Sequence, residues 1–434
     1  MTTIATSGAF HRSAEELIER LTRPTTLFFL FVFSILMFYG LAPFALHFAL
    51  SSNEYYLELS GLAVVAATGL LLGFNFQFFD DQILNGPKLH LNSTLFHWLV
   101  WGAFSVYFVA VFATASSIPL ISALFGADTE QLSVERGDFL KLRDGFEASY
   151  QYIDTLFMGF LLPYSLALMV IERRRAWPVA LVYFLFYSVS SLQKALFLRA
   201  LAPLGFLVAQ RKVGRPLRFV AIIAVSSVLI LLGNVALERG ITAPDEAPAE
   251  HSFAPDASST TSPADLQTWV DGYFDPLYVR SGIVDQVVWR IIAVPIFTAA
   301  DAVAVFHEEL AGRLLWGATS TPIAAVLGHE RVNLDSMVFA HQWGESDIGR
   351  SNSVFFVELF VNFGWPGVLI ISMLIGMTFR WFSISPDYAF RSTITIYMIA
   401  LFSSGLIGIL LSNGFALLFL VGLFGDISRS KRQT

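Results

Sequence analysis

The stretch "GRSNSVFFVELFVNFGWPG" occupies residues 349–367. From Val354 onward it is built of Phe, Val, Leu and Trp, yet it keeps a carboxylate at Glu358 and an amide at Asn362 before reaching a Gly-Trp-Pro-Gly cluster. On a helix of 3.6 residues per turn, Ser351, Glu358 and Asn362 fall on one face. The spacing predicts a lipid-facing helix with a single polar stripe turned into a bundle. Such a stripe either hydrogen-bonds a neighbouring helix or lines a cavity, with Arg350 and Asn352 at its mouth.

The rest of the chain has the same character. Of its 434 residues, 55% are hydrophobic and only 14% charged, with a mean hydropathy of +0.62. Soluble domains carry roughly 25% charged residues, and several runs here approach the roughly 20 apolar residues that cross a bilayer. The fold class is therefore an all-α polytopic membrane protein. Spans are predicted at 27–49, 58–77, 95–125, 152–171, 177–192, 195–210, 219–236, 354–378, 391–407 and 409–424, about ten transmembrane helices. The third is long enough to tilt or break near Pro119, and 391–424 can be read as one bent span. There are no cysteines, which excludes disulfides, thiolate chemistry and Cys-ligated metals. Nothing at the N-terminus has the pattern of a cleavable signal. Ser13 and Glu16 instead fit a capping box, which makes 1–26 a cytoplasmic amphipathic segment.

Orientation follows from the short loops. With the N-terminus inside, 16 of the 27 Lys and Arg residues fall on the inner side beside span ends, including Arg173-Arg174-Arg175 and the basic tail 425–434. The positive-inside rule is satisfied at every turn. A first bundle of about seven spans then covers 27–236, and C-terminal spans cover 354–424. Two segments remain outside: 126–150, and a large loop at 237–353 that is expected to hold short amphipathic helices. Within that loop, 241–266 is rich in Pro, Ala, Ser and acid and reads as a flexible linker. The segment 291–310 is too apolar for an exposed loop and lacks the profile of a clean span, so a surface-lying or re-entrant helix is predicted. No internal repeat or heptad pattern is present.

Eleven basic residues stay on the outer side, where the positive-inside rule does not account for them. Lys194 sits between two closely spaced spans, and Arg290 is flanked by bulky apolar residues in "VVWRIIAVP". Ionisable groups at membrane depth tend to face polar cavities and mark sites. A lysine at a span end can also snorkel to the interface, and an interfacial arginine can hold lipid headgroups. Arg136, Lys141 and Arg143 lie among acidic residues and suit a solvated, self-paired loop helix. His341, just ahead of Arg350, is a candidate general base. Asp80-Asp81 is an acidic pair on the inner side, away from these groups. No Gly-rich phosphate loop or H-E-x-x-H motif is found, so no metal, nucleotide or nucleic acid is expected.

The order of these features resembles the Wzy-type O-antigen and exopolysaccharide repeat-unit polymerases, which are related in architecture to the O-antigen ligases. The resemblance rests on "SVERGDFLKLRDGF", "FMGFLLPYSLALMVIERRRAW", "LQKALFLRALAPLGFLV", "WRIIAVP" and "RSNSVFFVELFVNFGWPGVLI", in this order over about 130–370. It implies a metal-independent and cofactor-free glycosyltransferase in the bacterial inner membrane with a periplasmic active site. Donor and acceptor would be glycans on undecaprenyl diphosphate, beside membrane lipids and the chain-length regulator and flippase of the same pathway. Arg290 and Lys194 would stabilise the departing diphosphate, and His341 or Glu358 would take the hydroxyl proton. Arg136, Arg143, Arg280, Arg350, Asn352 and Asn362 would bind substrate. The related ligases carry a His-Asn pair where this chain has Ser351-Asn352, which argues against a ligase. A ligase-like glycan transferase and a transporter of polysaccharide precursors remain the alternatives.

Overall fold

The computed structural model describes residues 16–49, 55–127, 129–140, 143, 145–210, 212, 273–275, 283–344, 351 and 353–428. The expected span 219–236 and linker 241–266 lie outside the described residues. So do Ser13, Lys141, Arg280, Arg350 and Asn352.

The chain is an all-α polytopic membrane protein. In order, its principal helices are α1 (Pro24–Phe48), α2 (Tyr56–Asn75), α3 (Ser93–Thr114), α4 (Gly145–Ile171), α5 (Trp177–Ser190), α6 (Lys194–Ala209) and α7 (Ile283–Glu308), followed by α8 (Leu334–Trp343), α9 (Phe355–Ile384), α10 (Tyr388–Phe402) and α11 (Phe415–Phe424). Among the described residues α1, α2, α3, α4, α7 and α9 are long and apolar enough to cross a membrane, while α5, α6, α10 and α11 are shorter apolar helices. Strands β1 (Leu89–Asn92) and β2 (Gly425–Ser428) pair in parallel and join the entry to α3 with the exit from α11.

Proline explains two local departures inside the apolar helices. α1 and α4 each contain a π-turn, Leu36–Leu41 and Phe157–Leu161, immediately ahead of Pro43 and Pro163. A proline cannot donate to the carbonyl four residues back and crowds it, so the preceding turn widens rather than breaking. The chain also breaks at 115–118, ahead of Pro119, as the length of the third expected span anticipated. The expected bent span at 391–424 is interrupted twice, at Ser404 and Gly405 and again at Asn413 and Gly414, with the π-turn Gly408–Ser412 between α10 and α11.

The central seam joins α2 and α9, which run parallel. Side chains are absent where they touch: a Cβ on Gly73 would strike the backbone of Met373, and one on Gly376 would strike that of Leu70. Close backbone approach lets dispersion contacts hold helices together where lipid offers no hydrophobic driving force. One end of this seam is fixed by Arg380, whose Nε donates to both Asp80 carboxylate oxygens at 2.8 and 3.0 Å. Near the opposite end, His307 Nε2 meets Glu58 Oε2 at 2.8 Å, with the Tyr55 ring stacked on the imidazole.

Three expectations need correction. Residues 291–310 form no re-entrant turn: α7 is one unbroken helix with Pro295 inside it. Its Ala293, Ile296, Ala299, Ala300 and Val303 are fully buried, so their apolarity answers to protein neighbours. Ser351 is not on the same helix as Glu358, because α9 starts at Phe355 after an extended Val354. Ser351 instead donates to Gln342 Oε1 at 2.6 Å. The first turns of α9 are also not lipid-facing: Phe355, Phe356, Val357 and Val361 are fully buried. Phe356 packs edge-on to Tyr39 of α1, and Phe360 to Phe306 of α7.

Candidate functional site

The Gly-Trp-Pro-Gly cluster organises the site. Gly364 has φ 67° and ψ −168°, a conformation that suits glycine and interrupts α9. Pro366 has no N–H to offer the Asn362 carbonyl. The carbonyls of Val361 and Asn362 are thereby released, and they accept from the N–H groups of Leu315 and Trp316 at 3.1 and 3.0 Å. A broken helix is tolerated at membrane depth when other backbone satisfies the freed groups, and here the loop after α7 does so.

Asn362 completes this junction from its side chain. Its Oδ1 accepts from the Gly317 N–H at 2.8 Å, and its Nδ2 donates to the Glu358 carbonyl at 2.8 Å and to Thr319 Oγ1 at 3.1 Å. Asn362 is fully buried and acts as a clamp. Glu358, one turn earlier, uses its carboxylate differently. Oε1 accepts from Thr319 Oγ1 at 3.0 Å, and Oε2 accepts from the Ile407 N–H at 3.2 Å. The chain beyond α10 can come this close because residue 405 is glycine. A Cβ there would lie 2.6 Å from Glu358 Oε2.

Glu358 opens onto a cavity of about 420 Å³. Its wall is polar: Thr319, Ser320 and Arg331 from the loops after α7, Asn333 and Asp335 at the start of α8, and Arg199 from α6. Asn413, on the segment leading into α11, and Tyr152 and Thr155 of α4 close another side. Arg331 Nε donates to the Thr319 carbonyl at 3.4 Å. Arg199 lies within electrostatic reach of Asp154, a buried acid on α4. Asp154 Oδ1 accepts from Tyr187 at 2.6 Å and from Tyr107 at 3.3 Å, and the two phenol oxygens are 3.1 Å apart. Thus α3, α4 and α5 are tied together by one acid next to the cavity.

The expected site residues separate into three groups. Glu358 lines the cavity, and Asn362 supports its wall. Others lie elsewhere. Arg290 is exposed on the first half of α7, and His341 on α8 has its Nδ1 3.4 Å from Glu309 Oε1. Arg136 donates to the Leu132 carbonyl within the short helix Thr129–Leu140. Arg143 is tied to Thr114, to Glu147 at 2.8 Å and to the Val111 carbonyl at 3.1 Å, with its guanidinium over the Tyr150 ring. Lys194 is the first residue of α6, the helix that brings Arg199 to the cavity. The remaining three, Arg280, Arg350 and Asn352, lie outside the described residues.

Arg199, Arg331 and the Asp154 cluster were not singled out from the sequence. A signal for two of them existed: Asp154 is an acid inside an apolar run, and Arg199 an arginine inside another. No family model matches this chain, and no curated protein or solved structure matches it.

Proposed function

We propose that the protein is a membrane-embedded glycosyltransferase that polymerises oligosaccharide repeat units carried on a lipid diphosphate. The observation that supports this reading is the cavity in which Glu358, Arg199 and Arg331 meet amid hydroxyl and amide groups. Its volume of about 420 Å³ lies within the range of small-molecule sites, roughly 300–1,000 Å³. A polar pocket suits sugar hydroxyls, and paired guanidinium groups suit a diphosphate. On the positive-inside orientation this end of the bundle faces outward, which for a bacterial inner membrane is the periplasm.

The chemistry needs one bond made and one broken. A hydroxyl of the acceptor sugar attacks the anomeric carbon of the donor glycan, and the bond from that carbon to the diphosphate oxygen breaks. The hydroxyl proton passes to the Glu358 carboxylate, whose oxygens accept from Thr319 and Ile407 and have about four lone-pair sites in all. The electron pair leaves with the lipid diphosphate. Its growing negative charge is met by Arg199 and Arg331, cations already fixed where charge develops. Arg290 and His341 lie outside the cavity lining, so the cationic and basic roles first expected of them pass to Arg199, Arg331 and Glu358.

Deletion in the native host tests the reading. Surface glycan limited to one repeat unit supports a polymerase, and full polymer accumulating on its lipid carrier indicates a ligase. Glycan of normal length after deletion sinks both. Complementation with Arg199→Ala, at normal membrane abundance, is expected to leave the single-unit phenotype in place.

A further inference from the structure

A second cavity, of about 660 Å³, lies at the other end of the bundle between α3 and α5. Its long wall is one face of α3: Thr94, Trp98, Trp101 and Ser105. At 1.5 Å per residue these positions span roughly 16 Å, comparable to half the thickness of a hydrocarbon core. Met169, Val179 and Tyr183 supply the facing wall. Trp98 is 75% exposed and Val179 72%, so the groove is open along its side.

The rim of this groove is the Arg173-Arg174-Arg175 turn between α4 and α5. Arg174 is built in, donating to Ser93 Oγ at 2.9 Å, Thr94 Oγ1 at 3.0 Å and Glu172 Oε2 at 2.5 Å. Glu172 also sits 3.5 Å from His97, whose Nδ1 lies 2.8 Å from Ser165 Oγ. Trp101 Nε1 donates to the same hydroxyl at 3.0 Å. Glu172 is the single acid of this network, and it is engaged by Arg174. Arg173 and Arg175 are exposed and have no polar partner among the described residues. Arg173 stands at φ 52°, a conformation uncommon outside glycine. The positive-inside rule accounts for basic residues here, but it does not call for an apolar groove behind them.

We propose that this groove binds one anionic glycerophospholipid, with its phosphate on Arg173 and Arg175 and an acyl chain against Trp98, Trp101 and Tyr183. The charge of the rim selects the headgroup, the length and open side of the groove admit the chain, and the polar network beneath holds the rim in place. The site is separate from the cavity at Glu358, and its test does not depend on any glycan activity.

The test is lipid titration of the purified full chain in a non-ionic detergent, read by native mass spectrometry with dioleoylphosphatidylglycerol. Dioleoylphosphatidylcholine and inorganic phosphate serve as parallel probes. The phosphatidylglycerol adduct is expected to weaken about thirtyfold in the double variant Arg173→Gln, Arg175→Gln, since each cation near an anionic headgroup contributes about a factor of five. Trp98→Ala, on the open wall, is expected to weaken it several-fold. Phosphatidylcholine should bind less tightly than phosphatidylglycerol, and millimolar phosphate should not displace the lipid. Unchanged binding in the double variant overturns the proposal, as does equal affinity for phosphatidylcholine. Displacement by inorganic phosphate would mean a free-anion site in its place. Melting temperatures of both variants close to the parent's would exclude misfolding as the cause of weaker binding.

Discussion

Replacing Asn362 with alanine tests how the broken helix and the cavity wall depend on one another. The substitution removes the acceptor for the buried Gly317 N–H, a bond of 2.8 Å, and leaves that donor without a replacement. An orphaned buried donor costs about 1–3 kcal/mol. The same change removes the donor to the Glu358 carbonyl and to Thr319 Oγ1, although the Thr319 hydroxyl keeps Glu358 Oε1 at 3.0 Å. Those neutral bonds add about 1 kcal/mol net. Local opening of the loop against α9 should therefore become easier by about 2–4 kcal/mol, or roughly thirtyfold to several-hundred-fold in its equilibrium. Amide hydrogen exchange reads this directly at Leu315, Trp316 and Gly317, whose N–H groups all bond to α9. Exchange there should accelerate by that factor, while the α2–α9 seam near Gly73 and Gly376 stays protected. Unchanged exchange at the three amides would refute the clamp. Equal acceleration along the seam would mean that Asn362 supports the whole bundle and not this junction.

Glu358→Gln keeps the shape of the side chain and its bond to one donor but removes the proton acceptor. Polymer formation should fall by about two to four orders of magnitude with normal protein levels, and near-wild-type chain lengths would exclude Glu358 as the base. Gly405→Ala puts a methyl against the Glu358 carboxylate and should displace it. A shift of about 1 Å at a reacting group can cost about a hundredfold, so activity should drop while the melting temperature stays near the parent's; full activity would show that this contact is not needed. Asp387, ahead of α10, accepts from the Ala389 N–H at 2.8 Å and from Tyr164 at 2.7 Å, and burial pushes its carboxyl above the usual carboxylate range. The unfolded chain then releases its proton first, so stability falls as pH rises from about 4 and levels off above the folded pKa. In Asp387→Asn this part of the melting-temperature profile should disappear, and a slope that persists unchanged would refute the assignment.

The sequence carried the helix-spacing argument for Glu358 and Asn362, since four residues on a helix place both on one side wherever that helix packs. The Gly-Trp-Pro-Gly cluster, by contrast, falls inside the span 354–378 that the sequence predicts as continuous, and the interruption at Gly364 comes from the structure. Nor could the sequence name the partner of the freed carbonyls, because Leu315 and Trp316 reach them only after α7 and the loop behind it have docked. The same limit applies to Arg199. It was one of eleven unexplained cations, and the choice among them depends on the rotation of α6 about its axis, which its neighbours set. Asp154 finds Tyr107 and Tyr187 at separations of 47 and 33 residues, beyond any local pattern. The lipid-facing reading failed for the first turns of α9 for a related reason, although Ile370 and Leu374 further along the helix are exposed. Apolar side chains suit both lipid and a protein interior, and the bulky neighbours Tyr39 and Phe306 decide which the first turns meet.

Membrane character belongs to the sequence alone. Transfer out of water is a sum over consecutive side chains, so twenty apolar residues announce themselves without reference to the rest of the fold, and the order of basic loops adds a predicted orientation. The cavity belongs to the tertiary structure. Glu358, Arg199 and Arg331 come from a helix, another helix and a loop that share no sequence pattern. Only the packing of α6 and α9, with the loops docked against them, sets the angles at which these three side chains face one space.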